Sequence, residues 1–338
     1  MGISPELYIP SQKHWAWHPA PDNPSAAQWW YNEGVFDNGY ATTIVFYATE
    51  MSGGRITFDI CDPNGNRIFE APLFSLDEIT YSTETLDIKL GKNFLRGKYP
   101  RYELHVRCGD LGADLVYEAV TQEWMEPRDG VYIGRETFPS TTPYFSYINR
   151  VGCKVSGKLI ISGKEIPVTG HGYGDHQWGN ILFWDLLQYW YWGKLNFPNH
   201  TAQWWETMLQ SQYGYQRLKW LWWFKGDKLI EYKSDAKIYV ESLNFKEDPR
   251  YGLALPQKVI VDIDDERIKG TATYSIKSVI FFVDLLGELQ KYFPELPPEM
   301  QPKGWSKYIR YVSECHAKFE VDGEKLESTR LALHESGV

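Results

Sequence analysis

Apolar and polar residues alternate along most of the chain, and turn pairs containing glycine interrupt the alternation at short intervals. Period-two alternation is the mark of a strand with one buried face. Segments 29–35 and 41–49 flank Asp37-Asn38-Gly39, and 55–61 and 67–71 flank Pro63-Asn64-Gly65, both hairpin signals. Further strands are expected at 101–107, 114–124, 152–162, 228–240, 258–263 and 270–276. A last hairpin joins 311–321 to 325–333 through Asp322-Gly323. One helix is expected at 277–292, where Ile280, Phe281, Val283, Leu285, Leu286 and Leu289 offer an apolar face and the proline-rich stretch 294–302 ends it. Short strands joined by tight turns predict an all-β protein of antiparallel barrels or sandwiches. Both halves are rich in hairpins, so two β domains are expected, at 1–180 and 181–338, divided just after the Trp178-Gly179 turn.

Composition narrows the functional classes. The chain has 338 residues, 43% of them hydrophobic, enough for substantial cores and against disorder. Its longest apolar run, 280–286, is short and carries Asp284, so no stable membrane insertion is expected. Thirty-five basic against 44 acidic residues leave a net charge of −9, which argues against a nucleic-acid partner. Cys61, Cys108, Cys153 and Cys315 are scattered with no Cys-x-x-Cys pair, so neither a zinc knuckle nor a disulfide scaffold is expected. The opening MGISPELYIP has neither the charged nor the apolar region of a signal peptide, and the Asn199-His-Thr201 sequon has no secretory context. A cytoplasmic location follows as the expectation.

Residues 169–180 read Thr-Gly-His-Gly-Tyr-Gly-Asp-His-Gln-Trp-Gly-Asn. In a strand His171, Tyr173 and Asp175 would share a face, with Gly172 and Gly174 allowing close approach. Titratable side chains projecting together are costly in a core unless each has a partner or a purpose. They could form a satisfied hydrogen-bond network, a catalytic group, or part of a metal site with His176. The sequence places no complete ligand set, so no metal or other cofactor is expected.

The aromatic content is high, with 15 Trp, 23 Tyr and 16 Phe. Nine of the tryptophans lie between Trp178 and Trp223, interleaved with Tyr189, Tyr191, Tyr213 and Tyr215. Part of this must be core. The remainder could hold a flat apolar ligand or a carbohydrate, or stabilise a passing cation. Trp178, Trp184, Trp190, Trp192, Trp204 and Trp205, with Trp30 from the early Trp29-Trp30-Tyr31, are the candidate substrate-binding residues.

The segment Gly172-Tyr173-Gly174-Asp175-His176-Gln177-Trp178-Gly179 resembles the Gly-Tyr-His-Asp-His-Asn-Trp-Gly signature of the carotenoid 1,2-hydratase/AttH-like family, and Trp29-Trp30-Tyr31 is also similar to a feature of it. The resemblance implies tandem lipocalin-like β domains and cofactor-free chemistry on a bulky hydrophobic small molecule. Members of that family include hydratases of carotenoid and prenyl double bonds and fungal Diels–Alderases. By motif, Tyr173, Asp175 and His176 correspond to the family's Tyr, its Asp, the proposed acid, and its second His. The chain departs from the signature at Gly174, where His is usual, and at Gln177, where Asn is usual. His171 lies outside the signature.

The leading expectation is a cofactor-independent lyase or cyclase on a terpenoid or polyene. Asp175 would be a general acid kept protonated by burial, with Tyr173 and His176 positioning it or relaying its proton and Trp faces stabilising a developing cation. The alternatives are a pericyclase working by shape and a non-catalytic lipid or pigment carrier.

Overall fold

The computed structural model describes residues 11–19, 27–49, 53–125, 145–179, 186–287 and 306–337. The chain divides into two compact units, one comprising Met1–Pro63 and Ile68–Leu182, the other Asn64–Arg67 and Phe183–Val338. Residues 180–185, around the division, lie outside the described residues.

The first unit is built on a curled 13-stranded antiparallel sheet. Its strands are β1 (Ala27–Phe36), β2 (Ala41–Thr49), β3 (Gly53–Cys61), β4 (Arg67–Glu70), β5 (Leu73–Phe74), β6 (Ile79–Tyr81), β7 (Leu86–Leu90), β8 (Asn93–Lys98), β9 (Arg101–Cys108), β10 (Leu111–Ala119), β11 (Trp124–Met125), β12 (Phe145–Ile161) and β13 (Lys164–Gly179). Their order is β4-β3-β2-β1-β13-β12-β10-β9-β8-β7-β6, with β5 on β3 and β11 on β12. The curl brings distant strands together. Gly54 of β3 packs so closely on β7 that a Cβ there would lie 2.8 Å from Leu90 Cδ2. Alternate residues of these strands, among them Ile44, Phe46, Phe58, Ile88, Leu104 and Leu115, form one buried cluster on the inner face. The short 3-10 helix Gln12–Trp15 adds Trp15 to it.

The second unit carries a nine-stranded antiparallel sheet, ordered β17-β16-β15-β14-β24-β23-β22-β21-β18. Its strands are β14 (Leu187–Asn196), β15 (His200–Leu209), β16 (Arg217–Lys225), β17 (Lys228–Lys233), β18 (Ile238–Leu243), β19 (Lys246–Asp248), β20 (Leu253–Leu255), β21 (Lys258–Asp264), β22 (Ile268–Asp284), β23 (Lys307–Val321) and β24 (Glu324–Gly337), with β19 and β20 forming a separate hairpin. Leu195, Trp204, Trp223, Val261, Tyr274 and Phe319 are central to its core. The fold is thus all-β and lipocalin-like.

The expected helix begins later than its apolar pattern suggests. Residues 277–284 complete β22, and helical backbone follows at 285–287, with 288–292 outside the described residues. Register shifts between Ile276 and Ser278 and between Val279 and Phe281 break the period-two alternation of β22. A strand bulged twice within six residues mimics the spacing of an amphipathic helix. No helix among the described residues is long and apolar enough to cross a membrane.

Candidate functional site

β13 lies between β1 and β12, and the register sets which side chains meet. Asp175 pairs with Tyr31 on one side and Asn149 on the other, and Tyr173 pairs with Glu33. Directly opposed residues share a face. Tyr31, Glu33, Asn149, Tyr173 and Asp175 therefore form one polar cluster, and all five are buried. Asp175 is 4% exposed, and its Oδ1 accepts a hydrogen bond of 2.9 Å from Gln177 Nε2. The Tyr31 hydroxyl donates to Glu33 Oε2 at 2.9 Å, and the Tyr31 and Tyr173 rings lie 5.9 Å apart. His171 continues the same face, half-buried, two residues before Tyr173. Glu33 was not among the sequence candidates. Alternation with Trp30 and Asn32 shows that Tyr31 and Glu33 project together, but only the pairing of β1 with β13 brings them beside Tyr173 and Asp175.

The neighbouring residues of the motif point the other way. His176 pairs with Trp30 and Ile148 on the opposite, inward face of the sheet. Its ring stacks on Trp30 at 4.3 Å and stands 4.8 Å from Trp178, on which His18 stacks at 3.8 Å. The His176 Nδ1–H donates to the His14 carbonyl oxygen at 2.8 Å. Burial pushes the pKa of His176 well below its usual value, and that of His18 down to about 4, so both rings are neutral at pH 7. His176, Trp178 and Trp30 do not share a face with Asp175, because consecutive strand residues project to opposite sides, so His176 is not placed to hand a proton directly to Asp175.

The inward face also holds a charge that sequence reasoning missed. Arg150 is fully buried, paired across the sheet with Gly174. Its guanidinium lies over the rings of Tyr102 at 4.3 Å, Trp15 at 4.6 Å and Tyr117 at 5.5 Å, and donates to Asn32 Oδ1. Such an aromatic cage offsets part of the desolvation of a cation. Glu123 accepts a hydrogen bond from the Tyr102 hydroxyl nearby. Burial pushes the Glu123 carboxyl up to about 8, against the opposing pull of Arg150. Nothing in the local sequence Tyr-Ile-Asn-Arg-Val-Gly marks this arginine as interior.

In the C-terminal unit the tryptophans divide by face. Trp192 pairs with Trp205, which pairs with Trp220, and Gln203, two residues before Trp205, pairs with Trp222. Trp190 belongs to the same side by alternation along β14, and the Lys194 ammonium lies 5.9 Å from the Trp192 ring. Trp204 projects to the other side, where its indole N–H donates to the Tyr274 hydroxyl at 3.0 Å inside the core. Trp204 is thus a core residue, separated from Trp190, Trp192 and Trp205 by alternation. Trp184 lies outside the described residues. Among the described residues, no group of three or more His, Cys, Asp or Glu is arranged to hold a metal ion.

Fold comparison places this architecture among solved proteins. A crystal structure of a candidate AttH from Nitrosomonas europaea superposes with a TM-score of 0.67 at 13% identity, covering 100% of this chain and 99% of that one. Kievitone hydratase from Nectria haematococca gives 0.62 at 12% identity over 98% and 93% of the two chains. CghA in complex with Sch210972 gives 0.64 at 10% identity over 98% and 96%. At these identities the likeness is one of fold. No protein-family model matches the sequence, and no curated protein matches it as a relative.

Proposed function

We propose that the chain is a cofactor-independent lyase or cyclase acting on a hydrophobic, unsaturated small molecule such as a terpenoid or polyene. The observation that carries this reading is the buried face on which Asp175 and Tyr173 stand with Tyr31, Glu33 and Asn149. Two carboxylic side chains and two phenols on one sheet face are expensive to desolvate for structure alone. They suit a reaction that needs a proton delivered in a dry environment. Kievitone hydratase, a hydratase by name, has the same fold.

Asp175 is the general acid of the proposal. Its carboxyl proton goes to an alkene carbon and leaves a carbocation. Water or an internal nucleophile then forms the second bond and returns its own proton to the carboxylate. Gln177 orients the carboxyl through its amide, Tyr173 shapes the face beside it, and His171 stands further along the same face. Within the C-terminal unit, Trp190, Trp192 and Trp205 are the candidate residues for holding an apolar ligand.

The test uses D2O. The protein is incubated with a lipophilic metabolite extract in D2O and the products are followed by mass spectrometry. Acid chemistry at an alkene leaves one carbon-bound deuterium per turnover. A converted product without that deuterium would contradict proton chemistry and favour shape-driven cycloaddition. Retention of an extract component without conversion would favour a carrier.

A further inference from the structure

The second unit contains a cavity of about 60 Å3 on the inner face of its sheet, and none of the residues proposed above lines it. The register builds its polar end. Tyr191 of β14 pairs with Ser336 of β24, and His334 of β24 pairs with Tyr311 of β23. The His334 ring stacks against Tyr311 at 4.9 Å, and its Nε2 lies 2.8 Å from Ser313 Oγ. Burial lowers the His334 pKa to about 3, so the imidazole is neutral, and among the described residues lining the cavity no other is ionisable at pH 7.

The remaining wall is apolar and comes largely from the β19–β20 hairpin. Leu255 packs with Val279, Ile309 and Tyr311, and the Tyr251 ring lies tilted against Phe282 at 4.6 Å. Asn244, in the left-handed region with φ of 57°, turns the chain out of β18 into the hairpin. The next residue, Phe245, lines the cavity while remaining 59% exposed. An exposed aromatic ring beside a cavity with neutral hydroxyls at its end is arranged for a ligand with an apolar body and an uncharged polar tip.

We infer that this cavity is a second ligand site, separate from the Asp175 face, which takes the hydroxyl- or carbonyl-bearing end of an uncharged apolar molecule. Its volume admits the tip of such a molecule, since whole drug-sized ligands occupy cavities of about 300 Å3 or more. The rest of the ligand extends past Phe245. A carboxylate is disfavoured, because among the described residues no cation lines the cavity to replace its hydration.

The probe is 4-fluorophenol followed by 19F NMR at pH 7, with 4-fluorobenzoate as its charged counterpart. The expected result is saturable binding of the phenol, with the benzoate at least tenfold weaker. Ser242→Trp, which fills the half-buried rim, should weaken the phenol at least tenfold, whereas Asp175→Asn should leave its affinity within twofold. Intermolecular NOEs from the bound phenol to the Leu255 methyl groups of the unmodified protein supply a readout independent of any variant. Absence of saturable binding, equal binding of the benzoate, full affinity in a folded Ser242→Trp protein, or absence of the Leu255 NOEs would each overturn the assignment.

Discussion

The Arg150 guanidinium rests on the α-carbon of Gly174: a Cβ at position 174 would lie 2.3 Å from Nη2 and 2.5 Å from Cζ. The AttH-like signature that this segment resembles carries histidine there. This chain carries no side chain at 174 and fills the space from the neighbouring strand. Arg150 cannot easily retreat, because three aromatic rings and Asn32 surround it. Gly174→Ala should therefore cost about 1–3 kcal/mol of stability, the usual range for overpacking. Chemical denaturation measures it, and the cost should shrink in an Arg150→Met background, where the two sites are directly coupled.

Glu123 gives a pH dependence of definite sign. Its carboxyl is held up to about 8 in the fold, against an ordinary value near 4.5. The folded protein therefore keeps a proton that the unfolded chain releases. This contribution is fully present below about 4.5 and is lost as pH rises toward 8. Glu123→Gln keeps an acceptor for the Tyr102 hydroxyl and removes the titration. The variant should gain stability relative to the parent at pH 8 and little at pH 4.5, as read from urea midpoints at the two pH values.

The buried histidines act in the opposite direction. His334 is held down to about 3 and His18 to about 4, from an ordinary value of 6.5. Below 6.5 the unfolded chain gains protons that the folded protein refuses, so stability falls as the solution is acidified. For His334 alone the loss between pH 7 and pH 5 should be about 2 kcal/mol. His334→Gln should lessen the steepness of the stability–pH curve in that window by about this amount, whatever its effect on stability at pH 7. An unchanged slope would show that the ring is not held neutral.

Much of the fold was legible because strand alternation and turn chemistry act locally. Asp37-Asn38-Gly39 and Asp322-Gly323 mark hairpins that the structure contains, and β2 begins and ends where its alternation does. The shared face of His171, Tyr173 and Asp175 follows from the same rule. What was not legible depends on pairing between distant strands. Glu33 reaches the site because β1 pairs with β13, and Arg150 because β12 bulges between Arg150 and Cys153 and sets it opposite Gly174. A lone arginine in an apolar stretch carries no local sign of an aromatic cage built from Trp15, Tyr102 and Tyr117. The strands β14, β15 and β16 were not assigned from sequence, because tryptophans there occupy both faces and erase the alternation.

The central claim is that the Asp175 carboxyl supplies a proton. The most direct measurement compares turnover of the native protein and Asp175→Asn on a substrate found by the D2O assay, after circular dichroism and denaturation have shown both proteins folded. Asparagine preserves shape and the contact with Gln177 but has no acidic proton. A loss of at least 100-fold in kcat, within the usual contribution of general acid catalysis of about 10²–10⁴, is the predicted result. Turnover within threefold of the native protein would contradict the account.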